Sequence, residues 1–189
     1  DCSLVADAPY TGEALLKDRP ANLKVIGPLR PDAALFEVPP PRQPGQRGAS
    51  RKKGKRLPTP RQMIEDTAAY PAVTEEVSIL TQTPRLRLQV VREVLWYHAA
   101  GPERLSVVLV RDPSGRWRDE VLVATATEVS AAFVVAGYCR RWSIEVAFFE
   151  SKQFLGLHDP QVWCEASVER AHPMAWFVLS LTILWYAES

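Results

Sequence analysis

The hydrophobic pattern of this chain changes period near Ser130, and that change limits the folds open to it. Before it stand three β-type runs, Leu86 to Tyr97, Leu105 to Arg111 and Trp117 to Thr125. The last two are separated by Asp112-Pro-Ser-Gly115, a turn by composition, so they are read as a hairpin. After Ser130 the pattern is helical through about Leu155. A second apolar helix is expected from Ser167 to Tyr186, with Pro173 near its start or at a kink. Nearer the N-terminus, Cys2-Ser-Leu-Val-Ala-Asp7 reads as a strand ending on a carboxylate, Glu13 to Asp18 as a helix, and Asn22 to Pro28 as a second strand. Strand, helix and strand in that order predict parallel α/β architecture. A short helix is expected over Met63 to Ala69.

With 189 residues, 47% of them apolar, the chain can enclose one substantial core and a small second lobe. Its longest apolar stretch, Met174 to Ala187, falls short of the ~20 residues that span a bilayer, so a soluble chain without a membrane partner is expected. Cys2, Cys139 and Cys164 are odd in number and far apart, which argues against a disulfide framework or a structural zinc site and fits a reducing cytoplasm. The start at Asp1, with no Met and no charged leader, reads as a cut in a longer sequence.

Between Pro28 and Pro60 the composition shifts to Pro, Arg, Lys and Gly, and an extended, exposed linker is expected. Arg42 to Arg61 holds eight basic residues and no acidic one. Taking those eight from the 23 basic residues of the chain leaves 15 against 22 acidic ones. Such a local excess is the footprint of a polyanion partner, although a merely solvated loop has the same composition.

In the predicted helix after Ser130, Tyr138, Arg141, Glu145 and Lys152 stand at offsets 0, 3, 7 and 14. At about 100° per residue they project within roughly 60° of one another. Trp142 and Phe149 flank this stripe, and Ile144 and Phe148 lie to one side as a packing surface. The plainer reading is a surface stripe with an Arg141–Glu145 i,i+4 ion pair worth ~0.3 kcal/mol in its less favourable orientation. The crowding of aromatics predicts instead that these charges are only partly exposed and need partners, which a metal ion or a phosphate would supply.

The spacing Tyr138-x2-Arg141-x3-Glu145-x6-Lys152 resembles the YREK signature of insertion-sequence transposases of the insertion-sequence-4 group and its 701-like relatives. Tyr138 to Lys152 and the following Leu155-Gly-Leu-His-Asp-Pro-Gln161 look like the third catalytic segment of those DDE transposases. Leu4-Val-Ala-Asp-Ala-Pro-Tyr10 is similar to the second, and Arg51-Lys-Lys-Gly-Lys-Arg-Leu-Pro-Thr-Pro60 to a basic connector. The resemblance implies an α/β fold with a partial RNase H-like catalytic core and a β-rich insertion before the final catalytic helices. It divides the chain into residues 1–30 (part of the core), 31–61 (basic Pro-rich linker), 62–127 (insertion) and 128–189 (C-terminal helices).

For chemistry the resemblance implies DNA strand cleavage and strand transfer, with carboxylates holding two divalent ions, Mg²⁺ or Mn²⁺, about 4 Å apart. Asp7 and Glu145 are then the metal carboxylates, while Arg141 and Lys152 hold phosphates and Tyr138 bonds the DNA backbone. Arg51, Lys52, Lys53, Lys55 and Arg56 form a DNA-binding loop. Transposon ends and target DNA are the implied partners of a bacterial, nucleoid-associated homo-oligomer, and no Gly-rich phosphate loop indicates a nucleotide cofactor. The family uses a further aspartate on a strand upstream of the second. Asp1 is too close to Asp7 to be that residue, so this chain alone is expected not to complete the metal site. A truncated, inactive DNA-binding remnant and an RNase H-like nuclease without strand transfer are the competing functions.

His98, His158 and His172 lack a ligand spacing and are assigned ordinary structural roles. Trp96 and Trp117 are assigned to core packing in preference to base stacking, because both lie in strand-like runs. The implied role of Glu145 has a direct test: Glu145→Ala in the complete protein should abolish DNA strand cleavage, and retained metal-dependent cleavage would remove Glu145 from the site.

Overall fold

The computed structural model describes residues 2–45, 47–157 and 164–188. In chain order the elements are β1 (Cys2–Val5), α1 (Glu13–Asp18), β2 (Leu23–Pro28), β3 (Phe36–Glu37), α2 (Pro60–Glu65), β4 (Val73–Glu76), β5 (Arg85–Leu95), α3 (Tyr97–Ala100), β6 (Arg104–Arg111), β7 (Glu120–Ala124), α4 (Ala131–Arg140), α5 (Trp142–Phe154) and α6 (Glu165–Glu188). They fall into two compact units, Asp1–Arg140 and Arg141–Ser189.

All the strands of the first unit join one open sheet in the order β1-β2-β7-β6-β5-β3, with β4 also paired to β5. As the β-α-β order predicts, β1 and β2 are parallel, Cys2 facing Leu23 and Val5 facing Ile26. The remaining pairings are antiparallel, so the sheet is mixed. The β6–β7 hairpin forms as expected, from Ser106↔Ala124 to Val110↔Glu120. The β-rich run is thus continuous with the N-terminal strands, through Ile26↔Ala124 and Pro28↔Leu122.

Burial explains why β6 and β7 are almost uninterruptedly apolar. Side chains of a strand alternate between faces, and a strand covered on both sides needs apolar residues at every position. Leu105, Val107, Leu109, Val121 and Val123 face one cluster with Val25, Leu16 of α1, Met63 of α2 and Ala99 of α3. Val108, Val110, Leu122 and Ala124 face the other with Ile26, Leu86, Leu88 and Ala131, Val134 and Val135 of α4. The first unit is therefore a helix–sheet–helix sandwich.

The segment read as an exposed linker is partly core. Leu35 is fully buried, and Phe36–Glu37 pairs with Val94–Leu95 of β5. The basic stretch folds back on the same place: Glu37 N donates to Lys55 O at 2.9 Å, Gly54 N to Glu37 O at 2.9 Å, and Leu57 N to Leu35 O at 2.9 Å. Leu35 and Leu57 supply the apolar contacts that a Pro- and Arg-rich composition conceals. The following helix starts earlier than the expected Met63, because Thr59 and Gln62 form a capping box with Pro60 in the first turn.

Other boundaries also move. The run from Leu86 leaves the sheet at Leu95 and turns into the short α3, so Trp96 lies between the two and packs on the core. Trp117 falls in the β6–β7 loop, where it is 37% exposed, a correction to its assignment to the core. The helix expected from Ser130 to Leu155 is divided at Arg141, whose own backbone stays helical (φ −53°, ψ −34°). In the second unit α5 packs on α6 through Phe148 and Trp176, whose ring centres are 4.9 Å apart and nearly perpendicular. Pro173 lies inside α6. Among the described residues no helix is long and apolar enough to cross a membrane.

Because Leu35 has no exposed surface, Leu35→Ala should lower the unfolding free energy by about 2–5 kcal/mol in a denaturant titration. A change within about 0.5 kcal/mol, typical of a surface site, would return this segment to linker status.

Candidate functional site

Asp7 follows the end of β1, where Ala6 N still donates to Ile26 O at 2.9 Å. The chain then turns sharply. Tyr10 N and Thr11 N donate to Asp7 O at 2.9 and 3.0 Å, the Thr11 hydroxyl donates to the same oxygen at 3.1 Å, and Ala8 N donates to Asp7 Oδ1 at 2.8 Å. The backbone of residue 7 is thus held by three donors, and its half-buried carboxylate is oriented by a fourth. Thr11 is buried beside Gly27 of β2. Neither residue stands out in the sequence, where Thr11 reads simply as a turn residue and Gly27 as the close of the second strand.

The basic segment is anchored at the sheet edge. Arg51, Lys52, Lys53, Lys55 and Arg56 are all exposed, while Gly54 and Leu57 turn towards the protein. Lys53 Nζ sits 4.1 Å from the centre of the Phe36 ring and 5.7 Å from that of Tyr97, a cation–π contact that fixes the position of one charge. A side chain on Gly54 would come within 2.8 Å of Glu37 O and 2.9 Å of Val38 O, so glycine is what lets this ribbon approach β3.

Arg141, Glu145 and Lys152 belong to the second unit, whereas Asp7 and Tyr138 belong to the first. Arg141 Nη1 and Glu145 Oε1 meet at 3.0 Å, the i,i+4 pair that the plainer sequence reading allowed. Arg141 is largely covered, but Glu145 and Lys152 are exposed, as are Ile144 and Phe148. The expectation of partly buried charges therefore holds for Arg141 alone of these three. Glu145 lies in the first turn of α5, where the helix dipole favours an anion. Lys152 Nζ is 6.0 Å from the centre of the Phe148 ring. Tyr138, on α4, is half-buried against the second core cluster.

Carboxylate oxygens are the donors that hard divalent cations require, so Asp7 in the first unit and Glu145 in the second each have the donor chemistry of a ligand to such an ion. Among the described residues, no three His, Cys, Asp or Glu side chains are grouped closely enough to hold one. Other titratable groups have local explanations. Burial pushes the Cys139 thiol up, and the nearby Glu120 carboxylate pushes it further, so it is a poor nucleophile. The Ser114 hydroxyl, with backbone N–H groups of Ser114, Trp117 and Arg116, holds the Asp112 carboxyl below the usual carboxylate range and shapes the β6–β7 loop. Trp117 in that loop lines an open groove of about 700 Å³ with Arg85 and Arg116. His98 lies 3.8 Å from Glu13, and His172 contacts the carbonyl of Val168 at 3.2 Å. Asp1, His158 and the rest of the segment from His158 to Gln161 lie outside the described residues.

One further residue was invisible in the sequence. A bulge in β5 between Val91 and Val94 places Arg92 against the connection to α4, where its guanidinium donates to Thr127 O and, at 3.1 Å, to Val129 O. An irregular pairing turned the side chain there, and no local motif announces it.

Comparison with known families matches residues 1–170 to the family described as Transposase DDE domain. Comparison with curated proteins and with solved structures gave no match.

The ribbon's attachment is directly testable. Gly54→Ala should detach it from β3, speeding tryptic cleavage after Lys55 and Arg56 several-fold while the melting temperature of the sheet changes little. An unchanged cleavage rate would mean that these backbone bonds do not restrain the segment.

Proposed function

This chain belongs to the transposase DDE domain family, and on that premise we propose that it carries the second and third catalytic segments of an insertion-sequence transposase of the insertion-sequence-4 type. The activity is DNA strand cleavage followed by strand transfer, within an RNase H-like core interrupted by a β-rich insertion. One observation carries the reading: the family match, over residues 1–170, takes in Asp7, the basic ribbon and the Tyr138 to Lys152 segment.

In this reading Asp7 and Glu145 hold Mg²⁺ or Mn²⁺, which when bound supplies Lewis acidity at the scissile phosphodiester. Arg141 has two uses. Paired with Glu145 it neutralises that carboxylate in the absence of DNA. An exposed i,i+4 pair in this order is worth only about 0.3 kcal/mol, so the contact with Glu145 by itself does little to hold the guanidinium back from a phosphate. Guanidinium then binds two phosphate oxygens, a geometry that lysine cannot match. Lys152 adds a second positive charge, and Tyr138 donates a hydrogen bond to the backbone of the bound strand.

Arg51, Lys52, Lys53, Lys55 and Arg56 supply affinity that does not depend on base sequence. Each phosphate neutralised releases counterions, so binding weakens steeply with salt. Transposon-end and target DNA are the partners, and the working form is a homo-oligomer on DNA in the bacterial cytoplasm.

Two measurements on the transposase test this. Asp7→Asn and Glu145→Gln should each remove cleavage of end-containing DNA while leaving DNA binding intact. Replacing Lys52, Lys55 and Arg56 by alanine should reduce the slope of log K against log salt by about 0.9 for each phosphate that is no longer neutralised. Cleavage that survives both carboxylate changes would sink the catalytic assignment, and an unchanged salt slope would sink that of the ribbon.

A further inference from the structure

We propose that Thr11 and Gly27 act together as positioning residues for Asp7, a lock between β2 and the turn that carries the carboxylate. The inference rests on the assignment of Asp7 as a metal carboxylate made above. Its structural half stands independently.

The turn after β1 is tied to its neighbour strand at one buried point. Thr11 is 4% exposed, and its hydroxyl and its N–H both donate to Asp7 O, at 3.1 and 3.0 Å. The other side of the same side chain fills the space above Gly27. A Cβ built on Gly27 would collide with Thr11 Oγ1 and come within 2.9 Å of Thr11 Cγ2 and 3.0 Å of Ala6 O. Gly27 lies inside a strand, where glycine weakens the pairing, so its presence there marks a close approach of another chain segment.

Threonine cannot evade an added methyl by rotating. Both branches of its Cβ would face the intruder, and a β-branched side chain has few χ1 alternatives. Nor can the strand yield easily, since β2 is paired on both sides, to β1 and to β7. The element left to move is the turn. Movement there breaks the bonds to Asp7 O and redirects the carboxylate by the fractions of an ångström that matter for an ion. The hydroxyl of Thr11 thus orients the metal residue through the backbone, and Gly27 makes room for it.

The test uses the complete protein with Mn²⁺ alone as the probe, reading paramagnetic broadening of the Ala8 and Tyr10 amide signals and hydrogen exchange at the Tyr10 and Thr11 amides. Gly27→Ala should raise the Mn²⁺ concentration for half-broadening by about tenfold, the lower end of what partners behind a metal ligand contribute, and speed exchange at both amides. In a protein that already has Thr11→Ala, adding Gly27→Ala should change both quantities much less, because the two colliding Thr11 atoms are gone and only the 3.0 Å approach to Ala6 O remains. Thr11→Val keeps the volume and removes only the hydroxyl, so it serves if Gly27→Ala fails to fold. It should weaken Mn²⁺ binding several-fold while lowering the melting temperature only by the small amount that one buried hydrogen bond contributes.

Broadening and exchange identical to the unmodified protein in Gly27→Ala and Thr11→Val, together with broadening abolished by Asp7→Asn, would overturn the lock. Broadening that persists in Asp7→Asn would instead remove Asp7 from the metal site. In that case the exchange rates alone still decide whether Thr11 and Gly27 hold the turn.

Discussion

Strand β2 is hydrogen-bonded along both edges, parallel to β1 and antiparallel to β7, and the first unit depends on that double pairing. Its Val25 contributes to the cluster on one face of the sheet and Ile26 to the cluster on the other. Thr125 reinforces the junction, accepting from Val25 N through its hydroxyl at 2.9 Å while its own N–H donates to Val25 O at 3.0 Å. A six-residue strand thereby joins the N-terminal β-α-β unit to the β-hairpins, and α4 follows directly from β7. Displacing β2 would separate the Asp7 turn from the strand that leads into α4.

Local sequence disclosed the elements better than their partners. α1 occupies the residues its pattern predicted, and the β6–β7 hairpin follows from two apolar runs around Asp112-Pro-Ser-Gly115, because these signals act over a few residues. The attachment of β7 to β2 was not legible. It depends on residues about 100 positions apart, and either edge of the hairpin could have served. Leu35 and Leu57 were hidden for a related reason, being single apolar residues in a polar, Pro-rich stretch with no period to reveal them. The break at Arg141 leaves almost no trace in the sequence, since that residue is itself helical.

For the candidate site, the residue types were legible and their supports were not. The Tyr138 to Lys152 spacing stands out because it puts a phenol, a guanidinium, a carboxylate and an ammonium on one predicted helical stripe, whereas Asp7 is marked only by its place at the end of a predicted strand. Thr11, Gly27 and Arg92 act through a hydroxyl, an absent side chain and a bulge, features that acquire meaning only once distant strands are adjacent. The basic segment shows the same division. Its charge was evident from composition, whereas the ring of Phe36 beneath Lys53 and the backbone bonds to Glu37 turn that charge into a placed surface.

The distance along the chain between β2 and β7 also sets a schedule. Ile26 has its parallel neighbour as soon as the first strand and helix are made, but its other edge waits for Ala124. At about 5–20 residues per second, a ribosome needs on the order of 5–20 s to deliver that partner. Throughout that interval an apolar strand offers unpaired N–H and C=O groups to any other nascent chain, which is the circumstance in which edge-to-edge aggregation begins. Yield during rapid overproduction should therefore be limited by synthesis rate and by chaperone access to this early intermediate, more than by the stability of the finished sheet.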